Sequence, residues 1–379
     1  MTTPAEAAFV EPRYGDRSLG DVLPAVGRAL GLGVPGPTGL ELPPASAYVV
    51  LLVDGLGAQL LERHAHAAPY LASLLAGDHG QEPMTAGVPS TTATSLTSLG
   101  TALTPGTHGL VGFTARVPGS GELLNHLFWD RDVDPLEWQP HPTAFSTLRA
   151  AGASVTVVNQ RAFDGTGLTV AAHRGATFVG ADKVGERIAA AVHAARERPS
   201  LTYLYDADLD WTGHRWGVAS SQWLMQLSMI DAEAEQLREA LPSDVRLVVV
   251  ADHGMVDSPA GSRVDVDDHA ELSDGVSLLG GEARFRHLYC RRGAQDDVVA
   301  AWSAVLGERA DVLSREDAVR RGWFGAVDAA VLPRLGDVVV ACRGDLAVVS
   351  TTHFPYEHSL VGLHGSLTPA EMLIPVLVD

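Results

Sequence analysis

The chain has 379 residues, 46% of them hydrophobic, so it is long and apolar enough to bury a large core. Its formal net charge of −19 would repel a nucleic-acid backbone, which argues against a protein that coats DNA or RNA. The only cysteines, Cys290 and Cys342, lie in no CxxC or Cys/His cluster. They therefore indicate no thiolate metal site and no dense disulfide framework, and they leave open whether the two cysteines form a single disulfide.

The first 46 residues are rich in proline, glycine and alanine, and we interpret 1–46 as an extended lead-in with a short helix near 19–30. The opening residues lack the basic and apolar regions of a secretory signal. No apolar run approaches the ~20 residues that span a bilayer. We therefore expect a cytoplasmic protein without a membrane partner.

From residue 47 onward, apolar strand patterns alternate with helical ones, which predicts a mainly parallel sheet with right-handed crossovers. The predicted strands are 47–53, 154–158, 201–205, 245–251, 346–350 and 373–378. The predicted helices are 58–64, 70–76, 90–103, 143–151, 183–198 and 222–240. Between them, 108–142 is turn-rich and aromatic, and we expect a long loop or hairpin excursion near the functional site.

The segment 256–345 breaks this alternation. It contains a glycine-rich patch, two helical runs at 296–306 and 314–321, and a strand-like run at 337–341. We therefore interpret 47–379 as one large α/β domain in which 256–345 is an inserted or edge subdomain.

Two buried strands end in metal-type ligands. The run 247–251 stops at Asp252, His253 and a glycine, and the run 48–53 stops at Asp54 and a glycine. Continuous apolar residues are typical of strands covered on both faces, and ligands collect beyond the carboxyl ends of such strands. Two strands that bring an aspartate to the same sheet edge suggest a shared cation.

Three further residues extend this set. Asp210 and His214 lie four apart, on one face if their segment is helical, and His364 lies in a glycine-rich turn before the last strand. Taken singly, each is equally well explained as part of a polar loop. Together the six Asp and His residues favour Zn²⁺ over Mg²⁺ or Ca²⁺, which prefer oxygen ligands. Six ligands are too many for one open tetrahedral site and fit two metals that share a phosphoryl substrate.

A nucleophile is available in the hydroxyl-rich run 90–95, at a predicted helix start where backbone N–H groups face an anion. Metal coordination can activate a threonine hydroxyl, which is otherwise a poor nucleophile. The simpler interpretation is helix capping by Ser90 or Thr91, and it is compatible with catalysis.

These motifs, in this order, resemble the alkaline phosphatase superfamily, most closely its nucleotide pyrophosphatase/phosphodiesterase branch. The resemblance is carried by Val53-Asp54-Gly55, Pro89-Ser90-Thr91-Thr92, Asp210-x-x-Gly213-His214, Ala251-Asp252-His253-Gly254-Met255 and His364-Gly365. It implies an α/β fold, a three-layer α/β/α sandwich around a mostly parallel central sheet, with a smaller subdomain inserted into the catalytic domain.

The resemblance also implies the chemistry. One zinc ion would be held by Asp210, His214 and His364. The other would be held by Asp54, Asp252, His253 and the nucleophile Thr92, with Thr91 as the alternative nucleophile. The implied protein is a phosphoric ester hydrolase with two Zn²⁺ per chain and a covalent phospho-threonine intermediate. Its partner would be a small phosphoester, possibly a nucleotide, and not a nucleic-acid polymer.

The substrate is less well defined. Phe113 stands where many members of the family have an asparagine that contacts a phosphoryl oxygen. Phe113 and Trp211, with Phe128 and Trp129, would stack a base, line an apolar pocket or simply pack in the core. The alternatives are a phosphomonoesterase, for which Arg116 or Arg161 would have to fold over Thr92, a phosphonate hydrolase, and a catalytically silent metal-binding homologue. A sulfatase is the weakest alternative, because no Cys/Ser-x-Pro-x-Arg segment is present.

Overall fold

The computed structural model describes residues 8–75 and 81–379, so the predicted helix 70–76 ends at a residue outside the described range. The strands in these residues are β1 Ala47–Val53, β2 Met84–Thr85, β3 Thr114–Arg116, β4 Leu123–Asn125, β5 Ser154–Asn159, β6 Thr177–Gly180, β7 Ser200–Asp206, β8 Val245–Val250, β9 Val256–Asp257, β10 Arg263–Asp265, β11 Val276–Glu282, β12 Phe285–Cys290, β13 Ala310–Ser314, β14 Val338–Cys342, β15 Ala347–Val349, β16 Gly362–Leu363, β17 Leu373–Ile374 and β18 Val376–Val378.

Most of the helices lie between strands of the main sheet or flank them. They are α1 Val22–Ala29, α2 Ala58–Arg63, α3 Pro69–Leu75, α4 Thr92–Thr101, α5 Pro105–His108, α6 Pro135–Trp138, α7 Ala144–Ala150, α8 Gly167–His173, α9 Val184–Ala194, α10 Asp208–Trp216, α11 Ser221–Ala240, α12 Ala270–Ser273, α13 Gln295–Leu306, α14 Arg315–Arg320 and α15 Pro369–Met372. None of these helices is both long and apolar enough to cross a bilayer.

The main sheet has six strands in the order β18-β8-β1-β7-β5-β6. All neighbours are parallel except β18, which is antiparallel to β8 at the edge. Every residue of β1 and β7 is buried, as expected for strands covered on both faces. One helix group packs α11 against α3 and α9, and another packs α4 against α7 and α8. The predicted α/β fold with a largely parallel central sheet is therefore confirmed.

The segment 256–345 contains all four strands of a second, antiparallel sheet in the order β11-β12-β14-β13. Helix α13 contributes Trp302 to a separate apolar cluster beneath this sheet. Cys342 lies in β14, and both cysteines are free thiols. In the N-terminal lead-in, Val22, Leu23 and Val26 of α1 are fully buried against the main core. The domain boundaries proposed above stay a prediction.

A buried ion network fastens two helices to the end of a central strand. Arg187 of α9 donates from Nε to Glu233 of α11 at 2.9 Å and from Nη2 to Asp206, the last residue of β7, at 2.6 Å. All three side chains are at most 6% exposed. Since α10 begins two residues after Asp206, this network also fixes the start of the helix that carries Asp210.

We expect Arg187→Met to lower the free energy of unfolding by about 3–5 kcal/mol, because it leaves two buried carboxylates without their cation. Urea unfolding at neutral pH measures this loss. The matched control is Arg161→Met, which removes an exposed arginine paired with Asp182 and Glu186 and should leave the midpoint nearly unchanged. An Arg187 variant as stable as this control would contradict the structural role of the network.

Candidate active site

The seven predicted metal ligands lie together at one edge of the main sheet. Strands β1, β7 and β8 are parallel neighbours, so the segments that follow them emerge side by side. The residues on these segments, on the first turn of α4 and on the turn after β16 are Asp54, Thr92, Asp210, His214, Asp252, His253 and His364. Residues up to 310 positions apart are thus brought together, as the sequence pattern predicted for strand ends.

The inner group of the site consists of Asp54, Thr92, Asp252 and His253. The Nε2 atom of His253 lies 3.2 Å from the Thr92 hydroxyl oxygen. It also lies 3.4 Å from Oδ1 of Asp54 and 3.4 Å from Oδ2 of Asp252. All four side chains are buried. Four ligand atoms therefore converge on one small volume.

The outer group consists of Asp210, His214 and His364. Nε2 of His214 lies 3.3 Å from Oδ2 of Asp210 and 3.2 Å from Nε2 of His364. The side chains of Asp210 and His214 are 14% and 24% exposed, so this group lies at the open side of the site. The His364 ring stacks on His253 with centroids 3.7 Å apart, which joins the two groups. The ligand atoms of Asp210, His253 and His364 also approach within 4.8 Å of one another.

All three imidazoles are oriented by backbone carbonyl groups. Their Nδ1 atoms lie 2.7 Å from Gly362 O for His214, 3.0 Å from Gly254 O for His253 and 3.0 Å from Ser90 O for His364. A ring that donates from Nδ1 to a carbonyl keeps the Nε2 lone pair available to a cation. This is the arrangement expected of metal-binding histidines.

One carboxylate oxygen of each aspartate has no hydrogen-bond partner in the described part of the chain, although all three atoms are buried: Asp54 Oδ1, Asp210 Oδ1 and Asp252 Oδ2. Burial, together with repulsion from Asp252 and Asp210, raises the pKa of Asp54 well above its usual value. Burial also raises the pKa of Asp252 and, with the neighbouring imidazoles, lowers that of His364. Divalent cations would complete and neutralise this donor set, so the residues fit a metal centre.

Local backbone structure makes the convergence possible. Gly55 has φ +76°, and a Cβ atom there would lie 3.1 Å from Cα of Asp210. Glycine thus permits both the turn after β1 and its close contact with α10. Asp252 accepts hydrogen bonds from the N–H groups of Gly55 at 3.1 Å and His253 at 2.9 Å, which fixes its orientation.

The first turn of α4 is left without a side-chain cap. Ser90 donates its hydroxyl to the carbonyl of Ser366 at 2.6 Å, and Thr91 makes no capping hydrogen bond. Capping by either residue, the simpler interpretation of the sequence, is therefore not found. The N–H groups at the start of α4 remain available to an anion directly beside Thr92.

Some of the candidate aromatic residues lie at the surface, and others are held by contacts within the protein. Phe113 makes edge or tilted contacts with Phe128 at 6.4 Å and Tyr356 at 6.1 Å, and both partners are exposed. Trp211 follows Asp210 on α10 and is 61% exposed. The Trp129 indole, in contrast, donates to the carbonyl of Val133.

Neither candidate arginine is free to cover Thr92. Arg116 donates to the carbonyl of Pro333 and stacks on Tyr289. Arg161 is paired with Asp182 and Glu186.

Three functional neighbours were not predicted from the sequence. Tyr205 donates its hydroxyl to Oδ2 of Asp54 from the adjacent strand. Tyr356 completes the aromatic surface at Phe113. Glu282 is buried against Gly365, the residue after His364. Only Tyr205 could have been recognised from the sequence, because it carries a hydroxyl group near the carboxyl end of an otherwise apolar strand.

A buried ion pair holds together two turns that carry predicted metal ligands. Arg284 donates to both carboxylate oxygens of Glu371 at 2.8 Å, and both side chains are fully buried. The Glu371 carboxylate also accepts from the N–H of Ser366, two residues after His364, at 3.0 Å. The Glu371 backbone carbonyl accepts from the N–H of Gly254 at 2.8 Å, so one residue ties the turns of both metal-ligand groups together.

Comparison with known structures supports this fold. Murine ectonucleotide pyrophosphatase/phosphodiesterase 5 superposes with a TM-score of 0.66 at 18% identity, covering 88% of this chain and 87% of that one. Its inactive threonine-to-alanine variant, in complex with AMP, gives 0.68 at 17% identity and covers 88% of each chain. Phosphonoacetate hydrolase from Sinorhizobium meliloti 1021, in complex with phosphonoformate, gives 0.65 at 22% identity and covers 90% and 92%. The chain thus shares its fold with these structures.

The sequence gives the more specific assignment. A family model described as type I phosphodiesterase / nucleotide pyrophosphatase matches residues 48–367, and the chain belongs to this family. The predicted family and the predicted class, phosphoric ester hydrolases, are confirmed at this level. Venom phosphodiesterase of Macrovipera lebetinus is 32% identical over 95 residues. That match spans 24% of this chain but only 11% of the venom protein.

Glu282 provides a stability test of the site's interior. Burial raises its pKa to about 8, opposed in part by the Thr91 hydroxyl and the Phe113 N–H. A carboxyl whose pKa is higher in the folded state stabilises the fold fully at pH values below its unfolded-state pKa, near 4.5. This stabilisation is lost as the pH rises through 8. As the pH rises from 5 to 8, we therefore expect the free energy of unfolding of the wild type to fall relative to that of Glu282→Gln. The difference should change by up to ~1.4 kcal/mol per pH unit.

Denaturant titrations of both proteins at several pH values, with saturating zinc throughout, measure this difference. The matched control is Glu62→Gln, which removes an exposed carboxyl from the end of α2. Parallel curves for Glu282→Gln and the wild type would show that the buried carboxyl does not titrate as described.

Proposed function

We propose that this protein is a two-zinc hydrolase of the phosphodiesterase or nucleotide pyrophosphatase type, with Thr92 as nucleophile and a covalent phospho-threonine intermediate. The observation that carries the proposal is the convergence of the Thr92 hydroxyl and two aspartates on Nε2 of His253. The Asp210, His214 and His364 group lies beside it. A buried threonine hydroxyl within ligand distance of a metal centre is what covalent phosphoryl transfer requires.

When bound, the two metal ions would lower the pKa of the Thr92 hydroxyl and neutralise charge on the phosphoryl and leaving-group oxygens. The Thr92 oxygen attacks phosphorus, forming an O–P bond as the bond to the leaving oxygen breaks. The uncapped N–H groups of α4 hold a phosphoryl oxygen during this step. Water then cleaves the Thr92–phosphorus ester, and the hydroxyl is regenerated.

The two groups of metal ligands differ in exposure, and this difference fits the proposed direction of phosphoryl transfer. The inner group around Thr92 is buried, whereas Asp210 and His214 face the opening. A leaving group displaced in line from the nucleophile would therefore depart toward solvent on the side of α10. We assign Asp54, Asp252, His253 and Thr92 to the metal at the nucleophile. We assign Asp210, His214 and His364 to the metal at the leaving group.

Zinc is the proposed metal because each group mixes imidazole nitrogen with carboxylate oxygen. The two groups share the stacked rings of His253 and His364, which supports two ions close enough to bind one phosphoryl group. The buried unpartnered aspartate oxygens supply the negative charge that two divalent cations need.

A small phosphodiester is the substrate class that we favour. Phe113 packs against the exposed rings of Phe128 and Tyr356, and Trp211 is exposed next to the predicted ligand Asp210. Each would contact one of the two substituents of a diester. The murine neighbour bound to AMP supports a nucleotide as one of these substituents. A cytoplasmic location stays a prediction.

The second candidate is a phosphonate hydrolase, which is favoured by the similarity to phosphonoacetate hydrolase over 90% of the chain. A phosphomonoesterase is less well supported, because Arg116 and Arg161 are both engaged away from Thr92. A catalytically silent metal-binding homologue would retain zinc without hydrolysis. Assays with bis-p-nitrophenyl phosphate, p-nitrophenyl phosphate and a phenylphosphonate ester separate these possibilities, and we expect the diester to give the highest kcat/KM.

We expect Thr92→Ala to lower kcat on the preferred ester by at least ~10³-fold, because the attacking oxygen is lost. Most of the bound zinc should be retained, since six other ligands remain. The matched control is Thr97→Ala, further along the same helix, where the hydroxyl donates to the carbonyl of Ala93 at 2.8 Å. Full activity of the Thr92 variant on all three substrates would rule out the proposed mechanism.

Metal analysis tests the ligand assignment. After exhaustive dialysis we expect two zinc ions per wild-type chain and about one in Asp252→Asn or His364→Ala, because each variant removes a ligand from a different group. His66→Ala, which removes an exposed histidine outside the site, should retain both ions. Two tightly bound zinc ions in either site variant would refute the assignment.

A further inference from the structure

The turn 125–130, which follows strand β4, holds one aromatic side chain in solvent. Phe128 is 73% exposed, and its ring meets the Phe113 ring edge-on, with 6.4 Å between centroids and 85° between planes. The Phe113 ring also lies 6.1 Å from the ring of Tyr356, which is 44% exposed. These three residues form the aromatic surface, and exposed apolar surface beside a polar site is typical of a ligand-binding groove.

The backbone of this turn has an unfavourable conformation at Trp129. This residue has φ +51°, in the left-handed region that bulky side chains seldom adopt. Its indole packs on Gly167 at the start of α8, where a Cβ atom would lie 2.2 Å from Cγ of the indole. The indole N–H also donates to the carbonyl of Val133 at 2.7 Å. Such a conformation persists only where surrounding contacts impose it, and it is typical of residues that shape a ligand site.

Hydrogen bonds fix the backbone that carries Phe128. Its N–H donates to the side-chain oxygen of Asn125 at 3.0 Å, and the backbone carbonyl of Asn125 accepts from the N–H of Trp129 at 2.8 Å. The next residue, His126, donates its N–H to the carbonyl of Phe113 at 2.9 Å. The turn is therefore attached to the loop of Phe113, and the backbones of the two aromatic residues keep their relative positions.

Glu282 places the loop of Phe113 next to a turn that carries a predicted ligand. A Cβ atom on Gly112 would lie 3.6 Å from Oε1 of Glu282, and a Cβ atom on Gly365 would lie 3.5 Å from the same oxygen. Gly365 directly follows the predicted ligand His364. One buried carboxyl group thus separates the loop of Phe113 from the turn of His364.

The segment of Tyr356 is attached to the site separately. The side chain of the next residue, Glu357, is buried and accepts a hydrogen bond from Arg286 of β12. Further along this segment, the N–H of Val361 donates to the carbonyl of the predicted ligand His214 at 2.6 Å. Two separate segments of the chain thus hold the aromatic surface beside the outer group of ligands.

We propose that Phe128 is a specificity-determining residue, on which the flat aromatic ring of a nucleotide-type phosphoester stacks. The inference rests on the proposed phosphoester chemistry at Thr92 and assigns one substituent of that ester to one exposed side chain. Because the Phe128 and Phe113 rings meet edge-on and Phe128 is largely exposed, a face of the Phe128 ring is open to an incoming ring. Since Phe128 meets the site through Phe113, a sugar is a suitable spacer between that ring and the phosphoryl group.

The test is calorimetric titration of the zinc-loaded protein with AMP and with ribose 5-phosphate, which share a sugar phosphate and differ in the ring. Phe128→Ala should weaken AMP binding about 5- to 150-fold, the range of one base stacked on an aromatic side chain, and should leave ribose 5-phosphate binding within about twofold. Phe128→Trp should retain the preference for AMP. The matched control is Leu136→Ala, which removes another exposed apolar side chain and should change neither affinity.

Gly167→Ala tests the turn without altering Phe128. The added methyl group displaces the Trp129 indole, so AMP binding should weaken as it does in Phe128→Ala, while ribose 5-phosphate binding is retained. The double variant should bind AMP no more weakly than Phe128→Ala alone, because both changes remove the same contact. A Gly167→Ala protein that keeps the wild-type preference for AMP would contradict the role of the turn.

Two results would overturn the inference about Phe128. One is a Phe128→Ala protein in which both affinities change equally or neither changes. The other is a zinc-loaded wild type that binds AMP no more tightly than ribose 5-phosphate, or binds neither. If AMP binding depends on Phe128 as expected but no ester is hydrolysed, the proposed function fails alone. If esters are hydrolysed without this dependence, the inference fails alone.

Discussion

The structure depends on how three aspartates are accommodated at one edge of a buried sheet. Among residues 8–75 and 81–379, Asp54, Asp210 and Asp252 each keep one buried oxygen without a hydrogen-bond partner, and their charges repel one another. Hydrogen bonds from Tyr205 and from the N–H of Gly55 satisfy the remaining oxygens of two of them. The chain thus fixes the geometry but does not supply the neutralising charge. Because only cations can do so fully, metal binding and stability are coupled at this edge.

The segment 256–345 contributes contacts that hold the site in place. Its hairpin of β11 and β12 places Glu282 against Gly365 and carries Arg284 in its turn. The partner of Arg284, Glu371, ties the turns of His253 and His364 together. A region that interrupts the α/β alternation therefore contributes the buried polar residues that orient the catalytic turns. Such buried pairs are costly to desolvate, and their value here lies in geometry more than in stability.

The sequence allowed the central strands and the metal-type ligands to be predicted, because both follow from local pattern. The run 48–53 is a buried strand, and Asp54 marks its end. Elements that depend on tertiary contacts were missed: β6 is short and partly exposed, β11 ends in two glycines and a glutamate, and most of β13 is only partly buried. In the second sheet, β14 is a continuous apolar run and was predicted as the strand-like 337–341. The predicted last strand is divided into β17 and β18 by Pro375, which cannot donate to a ladder. Glu282 and Tyr356 had no local signal, since their importance arises from neighbours distant in sequence.

The uncapped start of α4 and the unpartnered oxygens of the three aspartates express one constraint. A helix start that binds a phosphoryl oxygen must give up its own cap, just as aspartates that bind cations must give up hydrogen-bond partners. In the proposed hydrolase both losses reduce the stability of the unliganded protein, and both are recovered when metal and substrate bind. The polar groups at the start of α4 and on Asp54, Asp210 and Asp252 are therefore left without protein partners where the proposed chemistry needs them.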